Sequence, residues 1–243
     1  MPAPLAFIGL HYFAGSGSEF QTLAQLLTPH HHLLAPDLPG FGAAPALDIN
    51  YSIDACADHV AHFIAAHKLP RYVLVGHSMG GKIGLALAAR QPPGLVGVAL
   101  LSPSPPGPEP MTAAARQKSQ RAYGNPKEAE KTFRRVTACP LPEVVHQQVL
   151  QDSLRCSQRA WDAWLLQGSK EDISTRMSRL RVPCLLVAGE RDEVLPPHVH
   201  LTHTLPLLPA HTPLEIIAGA GHLLPYEAPG RVAALLQAFG QRL

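Results

Sequence analysis

The sequence predicts an α/β protein built on a parallel sheet with helices on both faces, and three observations predict it. Apolar runs of strand length alternate with longer segments of helical period. The strand candidates are continuous apolar runs, as expected of strands covered on both sides. The chain has 243 residues, of which 16% are charged, so one domain can bury a large core without disulfides or metals.

In chain order, the apolar run at residues 5–10 is the first strand and 19–27 the first helical segment. A strand at 32–35 and a helix at 53–67 follow. The run at 72–75 leads directly into a helical stretch at 79–90, and 97–101 is the fourth strand. After a long interval come a strand at 184–188, a helix at 198–205, a strand at 214–217 and a closing helix at 230–239. The expected sheet has about six strands. The interval breaks the alternation. It opens with Ser102-Pro-Ser-Pro-Pro-Gly-Pro-Glu-Pro110, whose prolines cannot supply ladder hydrogen bonds, and continues in polar, helix-compatible sequence. The division expected is a core of residues 1–103 and 181–243, with 104–180 inserted as a helical cap.

A formal net charge of +2 supplies no strong field to gather nucleic acid or an anionic membrane, so neither is an expected partner. Cys56, Cys139, Cys156 and Cys184 are widely spaced and form no CxxC pair, which argues against a structural zinc site or a disulfide framework. Residues 1–10 lack a basic leader, and no apolar stretch approaches the roughly 18 residues of a membrane span. The expectation is a cytoplasmic protein acting on a small molecule. Nothing in the sequence specifies its oligomeric state.

The sharpest chemical signal is Gly76-His77-Ser78-Met79-Gly80, between an apolar run and a helical stretch. This is the G-x-S-x-G nucleophile elbow in its strand-turn-helix context, where glycines let the backbone pass a strained serine. A serine needs a base and an orienting acid, in the order Ser, Asp/Glu, His. Asp192 lies in Gly189-Glu-Arg-Asp-Glu-Val-Leu-Pro196, after the next-to-last strand, with Glu190 and Glu193 as fallback acids. His222 lies in Ala218-Gly-Ala-Gly-His222, after the last strand. Both are at carboxyl ends of strands, the edge where open α/β sheets place their sites. By position, the backbone N–H groups of Phe13 and Met79 are the expected oxyanion donors.

With the His11 loop and Asp37-Leu-Pro-Gly-Phe-Gly42, these motifs make the sequence similar to the α/β-hydrolase superfamily, in the branch of small cofactor-free serine esterases and lactonases. The resemblance spans nearly the whole core, although Tyr12 stands where the family's oxyanion loop usually has glycine. It implies hydrolysis of a small carboxylic ester or lactone through an acyl-enzyme, with Ser78, His222 and Asp192 as nucleophile, base and acid and no cofactor or metal. Two alternatives stay open: elimination or C–C bond chemistry on the same triad, as in a relative from menaquinone biosynthesis, and a ligand-binding receptor on a hydrolase scaffold.

Other residues carry weaker signals. Trp161 and Trp164, three apart, fit a cap-helix face packed on the core and are candidates for the substrate pocket, as is His77 beside the elbow. His59, His62, His198, His200 and His203 suit solvated or packing roles better than metal binding. Residues 109–135 hold seven Lys or Arg against three Glu, which reads as a solvated helical face or as an anion-attracting lid.

Overall fold

The computed structural model describes residues 5–243. The expectations that touch residues 1–4, at the start of the core segment and of the amino-terminal stretch, lie outside the described residues. Six strands form one sheet: β1 Ala6–Leu10, β2 His32–Leu34, β3 Tyr72–His77, β4 Leu95–Leu101, β5 Cys184–Gly189 and β6 Leu214–Ile217. Their order is β2-β1-β3-β4-β5-β6 and every neighbouring pair is parallel. The chain steps from β1 outward to β2, then crosses back to β3 on the other side of β1. The carboxyl ends of β1 and β3 therefore diverge at a topological switch point, where an open α/β sheet has its crevice.

The core helices are α1 Gln21–Leu27, α2 Ile53–His67 and α3 Met79–Ala88. Between β4 and β5 stand four more: α4 Ala113–Arg121, α5 Pro126–Val136, α6 Glu143–Arg155 and α7 Gln158–Leu166. Then come α8 Pro197–Val199, α9 Leu224–Glu227 and α10 Pro229–Gly240. Starts are set by side-chain caps, each accepting an otherwise orphaned N–H: Ser52 from Ala55, Thr112 from Ala115, Asn125 from Lys127, and Ser157 from Ala160. Among the described residues no helix is long and apolar enough to cross a membrane.

Side-chain alternation along the strands divides the core in two. Ile8, Leu10, Leu74 and Leu100 face α2 and α3, whose Ile53, Val60 and Ile83 pack on them. Phe7, Val73, Val75 and Leu101 face α1 and α10, which contribute Leu23, Leu27, Leu236 and Phe239.

Several expected elements differ by a residue or two at their ends, and three of the differences bear on the argument. The stretch expected to begin a helix at Glu19 is a 3₁₀ turn, Gly17–Phe20, before α1 takes over. β3 continues through Gly76 and His77, so the elbow begins inside the strand. The helix expected at 198–205 is instead the short α8, a π-helical turn at His200–Thr204 and a 3₁₀ turn. Pro206 lacks an N–H to donate back to Thr202, which ends the α pattern there.

Candidate active site

Ser78 stands between β3 and α3 with φ 50° and ψ −116°, a region that costs a non-glycine residue roughly 1–3 kcal/mol. Its neighbours hold it there. The Ser78 N–H donates to the Leu101 carbonyl at 3.0 Å, and its carbonyl accepts from Gly81 and Ser104, both at 2.9 Å. Glycine at 80 is a steric requirement, because a Cβ there would lie 2.0 Å from the Leu10 carbonyl oxygen. The close approach of α3 to β1 brings Ser78 beside the loop that follows β1.

Asp192 follows β5 and is buried. Its Oδ1 accepts from the Val194 and Leu195 N–H groups at 2.8 and 2.9 Å, while Oδ2 lies 2.7 Å from His222 Nδ1. His222 Nε2 lies 2.9 Å from Ser78 Oγ. A carboxylate can only accept, so Nδ1 carries the hydrogen and Nε2 turns its lone pair toward the serine hydroxyl. Burial alone would push the Asp192 pKa up; the charge and hydrogen bond of His222 and the two backbone N–H groups instead hold it down to about 2. Burial likewise works against a charged imidazole, but Asp192 prevails and raises the His222 pKa above its ordinary value. Such an arrangement can take a proton from a hydroxyl and stabilise the resulting imidazolium.

The loop that carries His222 is fixed from several sides. The His222 N–H donates to the Val136 carbonyl at 2.9 Å. Glu227 accepts from the flanking N–H groups, Gly221 at 3.0 Å and Leu223 at 2.9 Å, and also from Ala138 at 2.7 Å. One carboxylate thus joins this loop to the end of α5.

The His11 loop has its own logic. His11 Nε2 accepts from the Leu38 N–H at 2.9 Å, so Nδ1 carries the proton and donates to the Tyr12 carbonyl at 2.8 Å. Burial lowers the His11 pKa to about 4, which keeps this ring neutral. Because the peptide is planar and trans, holding the Tyr12 carbonyl on His11 turns the Phe13 N–H the opposite way. Among the described residues neither the Phe13 nor the Met79 N–H has an acceptor. Asp37 closes the adjoining turn by accepting from Gly17 and Ala43, both at 2.7 Å.

A cavity of about 120 Å³ opens onto Ser78 and His222, between the sheet edge and α4–α7. Its walls are mainly apolar and include Phe13, Met111, Trp161 and Trp164.

A model of the alpha/beta hydrolase family matches residues 9–235. The chain belongs to the alpha/beta hydrolase family. Among its relatives is a 2-succinyl-6-hydroxy-2,4-cyclohexadiene-1-carboxylate synthase from Serratia proteamaculans, 29% identical across 96% of this chain and 91% of that one. Lipase 3 of a Moraxella species is 26% identical over 77% of this chain, a match spanning 62% of that lipase's length. Among solved structures, a bromoperoxidase from Bacillus anthracis superposes with a TM-score of 0.89 at 17% identity, covering 98% of this chain and 92% of that one.

In this alpha/beta hydrolase, Trp161 and Trp164 both line the cavity and pack on Phe13, with ring centroids 4.7 and 6.4 Å away. His77 does not line it, which corrects the expectation of a substrate contact. Its ring is fully buried behind His222, with Nδ1 on Glu19 and Nε2 on the His222 carbonyl, because strand alternation puts His77 on the Val73 and Val75 face, toward the turn that holds Glu19. Glu190 is exposed and accepts from Gly219, and Glu193 is exposed; only Asp192 of the three reaches His222.

The basic residues of 109–135 also separate. Arg116 is buried and donates to the Leu165 and Glu109 carbonyls and to Ser169 Oγ, Arg134 pairs with Glu130, and Lys131 with Glu128. Among the described residues Arg135 is the one of the seven that lines the cavity, which Glu109 lines as well. Sequence reasoning missed Glu19, Glu109 and Glu227; the spacing of Glu227 five residues past His222 was the one available local hint.

Proposed function

We propose that this alpha/beta hydrolase cleaves small carboxylic esters or lactones by an acyl-enzyme route, with residues 104–180 as a cap over the site. His222 Nε2 takes the Ser78 hydroxyl proton as Oγ bonds to the carbonyl carbon. The developing oxyanion is received by the Phe13 and Met79 N–H groups; losing one such donor typically costs about 3 kcal/mol of activation energy. Collapse breaks the ester C–O bond, and the proton on His222 passes to the leaving oxygen. Water then repeats the sequence on the acyl-enzyme, with Asp192 holding the imidazole tautomer throughout. The observation that carries this reading is the continuous hydrogen-bonded line Asp192–His222–Ser78 ending at a cavity beside two N–H groups without acceptors.

Cavity size narrows the substrate. An apolar cavity of about 150 Å³ admits a benzene-sized guest, so one near 120 Å³ suits a short acyl chain or a small ring. Trp161 and Trp164 are proposed as its substrate-contacting walls.

A second reading, elimination on the same triad, is favoured by the Serratia synthase relative. The compound in that enzyme's name carries two carboxylates, whereas the mainly apolar cavity here is lined by one carboxyl, Glu109, and one arginine, Arg135. Charge and volume therefore favour the neutral short ester. The test is a panel of activated esters, from acetyl to decanoyl, and small lactones under burst conditions. A stoichiometric burst, activity falling beyond about six acyl carbons, and covalent capture of Ser78 by a fluorophosphonate are expected. Absence of a burst with every ester would leave the elimination reading.

A further inference from the structure

Behind the base lies a second carboxyl–imidazole pair that acyl transfer does not use. Glu19, in the 3₁₀ turn that precedes α1, and His77, the last residue of β3, are both fully buried, with Glu19 Oε2 2.9 Å from His77 Nδ1. On the other side of the ring, Nε2 lies 2.8 Å from the backbone carbonyl of His222. A carbonyl only accepts, so Nε2 carries a hydrogen and donates it. One further proton lies between Nδ1 and Oε2, whichever atom holds it, and the ring is thereby tied at both ends. Its face packs against the His222 and Tyr12 rings, with centroids 5.2 and 5.3 Å away.

We propose that Glu19 and His77 are positioning residues for His222, holding the backbone of the base so that its ring stays aligned between Asp192 and Ser78. The proposal rests on the acyl-transfer reading of those three residues. The other anchors of the loop come from Val136 at the end of α5, from Glu227 and the Leu224 N–H in α9, the latter sharing the His222 carbonyl at 2.9 Å, and from the segment after β5, where Arg191 donates to the Ala220 carbonyl and Glu190 accepts from Gly219, both at 2.9 Å. Among the described residues His77 is the one residue of β3 that bonds the His222 backbone, and Ser78 follows it directly in the chain. Nucleophile and base are thus referenced to one rigid element, and Glu19 keeps the linking ring from turning. A misplacement of about 1 Å in such a constellation can cost about 100-fold in rate.

The test compares steady-state kinetics on an activated short-chain ester. His77→Phe keeps a ring but removes the donor, and Glu19→Leu frees the ring. Both are expected to lower kcat about 10- to 100-fold with KM within about twofold. Glu19→Gln can still donate an amide hydrogen to Nδ1 and preserve the Nε2–H tautomer, so it should recover at least about tenfold of the loss seen in Glu19→Leu. In proton NMR, the His222 Nδ1–H resonance should broaden or move in the two apolar variants and return in Glu19→Gln. Should the apolar variants fail to fold, Glu19→Asp keeps the charge and shortens the reach by one methylene; a loss of at least about threefold in kcat at constant KM is expected.

A His77→Phe kcat within threefold of the parent, a KM that rises in step with the fall in kcat, or a Glu19→Gln as slow as Glu19→Leu would each overturn the proposal. So would an unchanged kcat in Glu19→Asp. Ser78→Ala, run alongside, separates the two readings. If it is inactive while His77→Phe is unimpaired, only the positioning role fails. If Ser78→Ala keeps parent activity, acyl transfer fails, and the His222 resonance alone judges the positioning role.

Discussion

Asp192 has one oxygen committed to two backbone N–H groups and the other to His222, and that division makes Asp192→Asn a discriminating change. The asparagine oxygen must stay with Val194 and Leu195, so its NH₂ faces Nδ1 and drives the ring to the Nε2–H tautomer, which donates to Ser78 instead of accepting. Turnover should fall by about 10⁴, while Glu190→Gln and Glu193→Gln should change it only a few-fold. The same contact fixes a pH dependence. Asp192 raises the His222 pKa, and the proposed acyl transfer needs the neutral ring, so kcat/KM should fall as pH drops through a value above 6.5. Without the carboxylate, that limb should move to lower pH in Asp192→Asn. A pH–rate profile of both proteins checks this, and a parent limb at or below 6.5 would count against the pairing. Ser78, Asp192 and His222 were legible because each is marked by the chain around it at a strand end. Glu19 was not, since what gives it meaning is His77, 58 residues away; Glu227 likewise answers Ala138 across 89 residues.

Helix α5 illustrates what a sequence pattern leaves open within an element. Its cationic excess was evident, but which cation faces the site depends on how the helix is rotated. That rotation follows from Ala129, Phe133 and Val136, which lie on the cavity side, with Phe133 and Val136 also packing on Tyr12, Val149 and Leu223. Arg135 is carried to the wall by this packing, and Arg134, one residue earlier, is turned out to Glu130. The two adjacent arginines should therefore behave differently. Arg135→Glu is expected to lower kcat/KM for an ester bearing a distal carboxylate about fivefold relative to a matched neutral ester at low salt. The difference should shrink as added salt screens the exposed charge over about 8 Å. Arg134→Glu should leave the ratio of the two substrates within about twofold. Equal responses to the two reversals would return the whole basic stretch to the role of a solvated face. Helix α2 needed no such tertiary information: it occupies the expected residues, because its Ser52 cap and its apolar period are both local.

At the scale of the whole molecule, a parallel sheet of about six strands follows from the alternation of elements, whereas its strand order and the seating of α4–α7 on the core do not. One polar contact across that boundary is set by a buried carboxylate. Asp152, in α6, is fully buried and accepts from Ser16 Oγ at 2.7 Å and Ser18 Oγ at 3.4 Å through Oδ2, while Arg155 and Gln148 of the same helix donate to Oδ1. Ser16 and Ser18 belong to the turn that also presents Glu19, so α6 is tied to the segment between the His11 loop and α1. A hydrogen bond to a charged group contributes about 1.5–3 kcal/mol, and deleting Asp152 would in addition leave the buried Ser16 hydroxyl without its carboxylate acceptor. Asp152→Ala should therefore lower the unfolding free energy by about 2 kcal/mol in urea titration. The loss should be local first: amide exchange in α5 and α6 should quicken while the β3 and β4 amides, deep in the sheet, keep their protection. Because Asp152 touches none of Ser78, His222 and Asp192, the burst amplitude with a short ester should persist at low temperature, where the helices stay seated. Uniform acceleration of exchange across sheet and helices would mean that α4–α7 and the sheet unfold as one unit, and that Asp152 stabilises the whole fold rather than the seating of α6.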